Sequence, residues 1–401
     1  MKTAGIIAEY NPFHKGHEYH ITETRKFLGS DSAIVAVMSG NYVQRGDFAI
    51  MDKLSRARCA LADENGEGVD LILELPVPYS LSSAEGFARG AVYLISALGI
   101  VDYLSFGSES QDISSLNLVA ETVLSEAFDN EIKIQLSKGI SFAAARQKAV
   151  ETLLGSNYEQ MRSPNDILAI EYLKSLRLLN SKIIPLAVPR FGAGHDREDI
   201  NFPSAKQLRE LLLSGKDITH LLPERTAKIL KEEIACGKAP VSFKNCERAI
   251  LSALRTLNDN QYKDVDSSGE GLWRRLMVNA RTESSLNVII DKTKTKRYAR
   301  ARLSRMIMRA YLGVPTEPLI LPTYIRALAF NKKGRTLLRR AKGLCKLPII
   351  TKPAHAQRFG APVADMFRLS AHTTDLFVLA MPDTKNANGG QEWLDGPVIT
   401  G

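Results

Sequence analysis

The apolar positions in the first half of the chain fall into short continuous runs separated by longer periodic stretches. Five runs stand out: Thr3–Ala8 (TAGIIA), Ala33–Met38 (AIVAVM), Val69–Leu75 (VDLILEL), Asp102–Phe106 (DYLSF) and Ile183–Val188. Runs of this length fit strands buried on both faces, as in a parallel sheet. Between them, Ser83–Ala97 carries Phe87, Ala91, Leu94 and Ile95 at helical spacing. The stretch from Ser204 likewise places Leu208, Leu211 and Leu212 on one helical face. The alternation predicts an α/β fold with a doubly wound, Rossmann-like parallel sheet. Residues from about 109 to 160 read as a mostly helical insertion.

Beyond about residue 217 the strand signals thin out. The remainder reads as Lys- and Arg-rich helices, with a further α/β piece near Leu347–Ile350 and a polar tail (PDTKNANGGQEW) expected to be a loop. The expected organisation is an α/β unit over 1–217 and a mainly helical, basic region over 218–401. A chain of 401 residues is long enough for two or three domains.

Composition narrows the class. No apolar run approaches the roughly 20 residues of a membrane span. The N-terminus enters strand-like sequence directly, without the layout of a signal peptide. Cys59, Cys236, Cys246 and Cys345 form no CxxC pair, which argues against a zinc ribbon or a disulfide framework. Together these features predict a cytoplasmic protein. The net charge of +9 suits a polyanionic partner such as nucleic acid.

The stretch GIIAEYNPFHKGHEYH, Gly5 to His20, carries the first candidate chemistry. Its histidines, His14, His17 and His20, are three apart. On one helix they would lie at roughly 0°, 300° and 240°, so the third points away from a shared ion. Pro12 and Gly16 also disfavour regular helix before His17. Metal ligation is therefore not expected. Simple capping and packing is the plain alternative. The order of the segment, strand, Asn-Pro turn, His-Lys-Gly-His, amphipathic helix, suits a third role. Gly16 lets backbone approach a ligand, the helix start offers unpaired N–H groups, and the histidines can donate to phosphate oxygens. Phosphoryl and nucleotidyl transfer require positioning and charge neutralisation of this kind.

This stretch resembles the HxGH signature of the nucleotidyltransferase superfamily. Further segments sharpen the match: MSGNYVQRGD (Met38–Asp47), DKLSRARCAL (Asp52–Leu61), FGSES (Phe106–Ser110), SPNDILAIEYL (Ser163–Leu173), VPRFGAGHD (Val188–Asp196) and SAKQLRELL (Ser204–Leu212). The likeness extends through TKRYARARLSR and YIRALAFNKKGR, over most of the chain. The set resembles the bacterial tRNA(Met) cytidine acetate ligase family.

The resemblance implies an ATP-dependent ligase that forms acetyl-adenylate and pyrophosphate from ATP and acetate. The acetyl group then passes to the wobble cytidine of elongator tRNA(Met), giving N4-acetylcytidine. Residues 1–217 would be the nucleotidyltransferase-like catalytic domain and 218–401 the tRNA-binding region. It implies catalytic roles for His14 and His17 and an ATP-wrapping loop from Ile7 through Ala8, Glu9, Tyr10, Asn11, Pro12, Phe13, His14, Lys15, Gly16, His17, Glu18 and Tyr19 to His20. His20 falls outside the motif itself. Gly107, Asn165 and Arg190 are the further nucleotide contacts it implies. Since a KMSKS loop is absent, Gln44, Arg45 and Lys53 are candidates for neutralising the triphosphate; His195, in the loop with Arg190, and Ser204 and Arg209, which match a helix-opening SxxxxR pattern, are further candidates for phosphate or substrate contact. Family members often read SATSIR where this chain has SAKQLR, so Lys206 and Gln207 replace small hydroxyl residues. Mg²⁺ accompanies ATP in such chemistry, but no carboxylate cluster marks its ligands, and no resident metal is expected.

Lys292 to Tyr311 holds eight basic residues and no acid. Leu303, Met306, Ile307, Ala310 and Tyr311 trace one helical face, and Arg302, Arg305 and Arg309 gather on another. With Lys296, Arg297 and Arg300 they are the candidate tRNA contacts. A second cluster, NKKGRTLLRRAKGLCK (Asn331–Lys346), adds to this reading. A small-molecule adenylyltransferase making a dinucleotide cofactor would share the HxGH loop but leaves this basic half unexplained.

Overall fold

The computed structural model describes residues 1–62, 66–155, 163–189, 203–266, 271–314, 316 and 321–401. Its strands are β1 (Thr3–Ala8), β2 (Ala33–Ser39), β3 (Tyr42–Val43), β4 (Asp47–Phe48), β5 (Leu71–Leu75), β6 (Tyr103–Ser108), β7 (Ile184–Pro189), β8 (Ile325–Phe330), β9 (Ile349–Ile350) and β10 (Val398–Ile399). The main sheet runs β10-β8-β5-β2-β1-β6-β7, with β9 also paired to β8. From β5 to β7 all pairings are parallel. Strand order reverses between β1 and β6, the switch point at which open α/β sheets bind ligands beyond the strand C-termini.

The five runs read from the sequence are these five parallel strands, shifted by one or two residues at their ends. Period-two alternation divides β2 between two cores. Val35 and Val37 pack with Phe87, Ala91 and Leu94 of the helix Ala84–Leu98 on one face. Ile34, Ala36 and Met38 pack on the other with Ile21 and Leu28 of helix α1 (Lys15–Leu28) and with Leu208 and Leu212. All five β2 residues are fully buried. At roughly 25 cal/mol per Å² of apolar surface, such two-sided burial dominates the stability of the sheet. Residues 113–154 form three helices packed beside the first core, as expected of the insertion.

The later chain differs from the sequence expectation. β8 returns to the sheet and pairs antiparallel with β5, and β10 pairs parallel with β8. The thinning of strand signals after residue 217 therefore reflects low strand frequency, not exclusion from the sheet. The tail is also not a loose loop. Glu392 is buried in the short helix Gln391–Leu394, and Trp393 lies against Phe367 with ring centroids 4.8 Å apart. A third core joins the hairpin residues Tyr42 and Phe48 to the helices of residues 247–312. No described helix is long and apolar enough to cross a membrane.

Candidate active site at the start of the first helix

β1 ends at Ala8, and the chain turns through Glu9–Phe13 into α1. Tyr10 adopts a left-handed conformation (φ 45°), and the Asn11–Pro12 peptide is cis. His14 is the N-cap of α1. Its Nδ1 accepts the Gly16 N–H at 3.0 Å. His17 Nδ1 in turn accepts the His14 N–H at 3.2 Å. The two imidazoles thus form a reciprocal capping box, the arrangement usually built from Ser or Thr and Glu or Gln. Their rings lie 3.9 Å apart, centroid to centroid. A Cβ on residue 16 would stand 3.0 Å from His14 Nδ1 and 2.8 Å from its Cε1, so glycine keeps this contact open.

The capping bonds fix the tautomers. A ring nitrogen that accepts a hydrogen bond carries no proton, so each neutral imidazole holds its proton on Nε2. Two N–H donors are thereby set at the positive end of the α1 dipole. Tyr10 and Phe13 hold the His17 ring, with centroids 4.9 and 5.7 Å away. His20 lies one turn further, its Nε2 2.9 Å from Ser105 Oγ on β6. Burial pushes its imidazole down to about 4, so it is neutral at physiological pH.

The loop is anchored from beneath. Arg56 is fully buried and donates to the carbonyls of Glu9 (2.6 Å), Ser39 (3.1 Å) and Gly40. It gathers the carboxyl ends of β1 and β2. Burial pushes its guanidinium down to about 10, which leaves it cationic. Arg209 Nη1 donates to the Asn11 carbonyl at 2.8 Å, and Asn11 Oδ1 accepts the Ile50 N–H. Among the described residues, buried Asn11 Nδ2 has no partner in the chain. Gln44 donates its backbone N–H to Glu9 Oε1 at 2.7 Å.

The other expected site residues divide. Gly107 lies within β6 opposite Val188. Asn165 opens the helix Pro164–Leu178 and donates to Glu109 Oε1. Its neighbour Asp166, not singled out in the sequence, accepts from Ser108 Oγ and from the backbone N–H groups of Glu109 and Ser110. That one carboxylate shapes the loop after β6. Ser204 caps the helix Ala205–Leu213, and Gln207 completes a capping box with it. The departure from a small hydroxyl residue there therefore supports the helix start. Arg45 is exposed. Arg190 and His195 lie outside the described residues.

Lys53 does not present its ammonium to a substrate. It is buried with Nζ 2.6 Å from Glu74 Oε1 and 2.7 Å from Glu392 Oε1, in a network completed by Arg326. Arg309 is a second correction. It is 2% exposed and donates to the carbonyls of Leu81 (2.9 Å) and Pro78 (2.7 Å), so it ties the helix Arg300–Leu312 to the α/β part instead of facing phosphates. Arg302 lies over the Tyr298 ring and reaches Asp266 at 3.4 Å. Arg305 donates to the Gln44 carbonyl at 3.1 Å. Lys296 and Arg300 are exposed, and Arg300 pairs with Asp291 at 2.7 Å. Arg297 is partly buried. The second basic cluster starts its helix, Lys332–Ala341, beside Asp70. Asp70 precedes β5, so this cluster begins at the opposite end of the sheet from His14.

Gly46 has φ 79°, and a Cβ there would collide with the Arg305 backbone nitrogen. The β3–β4 hairpin is thus seated directly on the helix Arg300–Leu312. Between that helix, the hairpin and the helix Ala205–Leu213 runs an open cleft of about 460 Å³. Glu9 at one wall and Arg300 at the other connect the histidine loop to the basic helix. Among the described residues no three His, Cys, Asp or Glu side chains cluster as metal ligands would.

The sheet order, the switch point and the paired histidines define a nucleotidyltransferase, and a profile described as HIGH Nucleotidyl Transferase matches residues 1–392. A tRNA(Met) cytidine acetate ligase of Thermosipho melanesiensis is 38% identical over 366 residues, 88% of this chain and 85% of that protein. The one of Acetivibrio thermocellus is 34% identical over the full length of both. The crystal structure of Thermotoga maritima TmcAL bound with alpha-thio ATP is similar with a TM-score of 0.89 at 32% identity, covering 100% of this chain and 99% of that one. The chain belongs to the HIGH nucleotidyltransferases and, within them, to the tRNA(Met) cytidine acetate ligase family.

Proposed function

We propose that this chain is an ATP-dependent ligase that activates acetate as acetyl-adenylate and acetylates the wobble cytidine of elongator tRNA(Met) to N4-acetylcytidine. The observation that carries the reading is the histidine capping box of α1. In the first step an acetate oxygen attacks the α-phosphorus of ATP and pyrophosphate leaves. Negative charge grows on the phosphoryl oxygens as it does so. His14 and His17 supply Nε2–H donors already oriented by their Nδ1 bonds, so little reorganisation opposes the reaction. The α1 N-terminus adds its dipole. Mg²⁺ would accompany ATP and help to neutralise the triphosphate charge. The names of the relatives supply the acceptor. The cleft that leads from Glu9 to the basic helix supports a polyanionic acceptor. The chain would work in the cytoplasm, where its tRNA substrate is.

The test uses purified protein, ATP, labelled acetate and elongator tRNA(Met). Label should appear in the wobble cytidine, with AMP and pyrophosphate released. An unlabelled cytidine alongside adenylyl transfer to nicotinamide mononucleotide or phosphopantetheine would favour a cofactor-making adenylyltransferase instead.

A further inference from the structure

The cleft beside the histidine loop contains a carboxylate that the adenylation step does not use. Asp47 opens β4 and lines the cleft, the residue partly open to solvent and its carboxyl enclosed by the cleft walls. Its Oδ1 accepts the Phe48 N–H at 2.8 Å, which leaves Oδ2 for a second donor. The hairpin that carries it is fixed on both sides. Glu9 accepts from Gln44, Arg305 donates to Gln44, and Gly46 sits on the Arg305 backbone. A carboxylate is therefore held rigidly between the nucleotide loop and the basic helix. The cleft falls within the usual size range of small-ligand sites. Its other charged walls are Glu9, Arg45, Lys206, Arg209, Glu210 and Arg300.

Resting on the ligase reading above, we propose that Asp47 receives the exocyclic amine of the target cytidine and takes its proton during acetyl transfer. Carboxylates read cytosine through its N4 amino group, which only donates. The arginines at the rim would neutralise the flanking phosphates. The N4 lone pair is delocalised into the ring, so the amine is a poor nucleophile until a base withdraws a proton. In the step, N4 bonds to the acetyl carbonyl carbon and the bond from that carbon to the AMP phosphate oxygen breaks. AMP leaves with the electron pair, and the N4 proton passes to Asp47.

The surroundings suit this role. Desolvation by the surrounding protein pushes the Asp47 carboxyl up to about 6, against the opposing pull of the Phe48 N–H and the Arg209 charge. A base is most effective when it titrates near the working pH. Arg209 itself is lowered by burial, with Glu9 and Asp47 acting in the opposite sense. Nearby Cys246 is pushed up to about 12, first by burial, and stays neutral.

The experiment separates two half-reactions: acetate-dependent ATP–pyrophosphate exchange, and single-turnover acetyl transfer to tRNA. Asp47→Asn should lower transfer about 100-fold while exchange persists, and Asp47→Glu should recover part of the loss. Wild-type transfer should fall about tenfold per pH unit below about 6, a limb absent from exchange and from Asp47→Asn. Transfer by Asp47→Asn within about twofold of wild type, or equal loss of both half-reactions, would overturn the proposal. If the variant does not fold, the wild-type transfer profile decides, and a flat profile through pH 6 is fatal. Absence of exchange in the wild type would instead remove the ligase reading itself.

Discussion

His17 Nδ1 accepts the backbone N–H of His14, so the residue that caps the nucleotide helix is itself held by the second histidine of the motif. Structure and chemistry are joined in one ring: Nδ1 closes the helix start and Nε2 donates. The two roles separate on substitution. His17→Ala should cost about 1 kcal/mol through the lost cap and lower ATP–pyrophosphate exchange about 100-fold through the lost donor. His17→Glu restores an acceptor at the position where capping boxes favour Glu, so stability should return. Its side chain donates nothing and repels phosphate, so exchange should stay low. Urea unfolding and exchange assays on both variants check this, and wild-type exchange in His17→Glu would contradict the donor role.

Much of the α/β part was legible because two-sided burial leaves a continuous apolar run, and β1, β2, β5, β6 and β7 all carry one. The histidine loop was legible because its spacing departs from any packing pattern. What stayed hidden were contacts that depend on the far end of the chain. Nothing local marks Glu392 as buried, since its partners Lys53 and Arg326 are distant in sequence. β8 reads IRALAF, and its Arg326 disguises a strand buried throughout. Arg309 looked like a solvated cation because helical spacing reports a face, not what covers it. Arg56 and Asp166 could have been suspected only as charged residues near the starts of the helices Lys53–Ala60 and Pro164–Leu178.

The quartet of Lys53, Glu74, Arg326 and Glu392 sets two buried basic groups against two carboxylates, with burial pushing the Lys53 ammonium down to about 7, and it ties the tail to the loop at Asn41 through Thr374. Removing one partner leaves an uncompensated buried charge, which costs about 3–5 kcal/mol. Glu392→Gln should therefore lower the denaturation midpoint strongly. The pair Lys53→Met with Glu392→Met removes opposite charges together and should recover most of the loss. Equal destabilisation by the single and double variants would show that packing, not charge balance, is the controlling factor.

His20 supplies a pH dependence of stability. Burial lowers its folded-state value to about 4, below the ordinary 6.5. Between those values the unfolded chain binds more protons, so unfolding gains as pH falls. The protein should lose up to about 3 kcal/mol between pH 6.5 and 4 from this residue alone. His20→Gln should flatten that part of the curve, as read from urea midpoints across the range. An unchanged slope in the variant would place the acid sensitivity elsewhere.

The arginines of the basic segment should divide by burial, not by sequence position. Arg309 donates to Leu81 and Pro78 and is 2% exposed, so Arg309→Ala removes the donor to the Leu81 carbonyl, while Pro78 keeps the Ser82 hydroxyl. That costs about 1–3 kcal/mol of stability. In folded protein the salt dependence of tRNA binding should be unaltered. Lys296 and Arg300 are exposed at the same segment, and Arg300 lines the cleft. Removing one cation from a phosphate lowers the slope of log K against log salt by about 0.7–0.9, depending on whether the strand is single or paired. Lys296→Ala combined with Arg300→Ala should thus reduce that slope by about 1.5 and leave ATP binding unaffected. A reduced slope in Arg309→Ala with none in the double variant would reverse the assignment and move the tRNA path to the buried side of the helix.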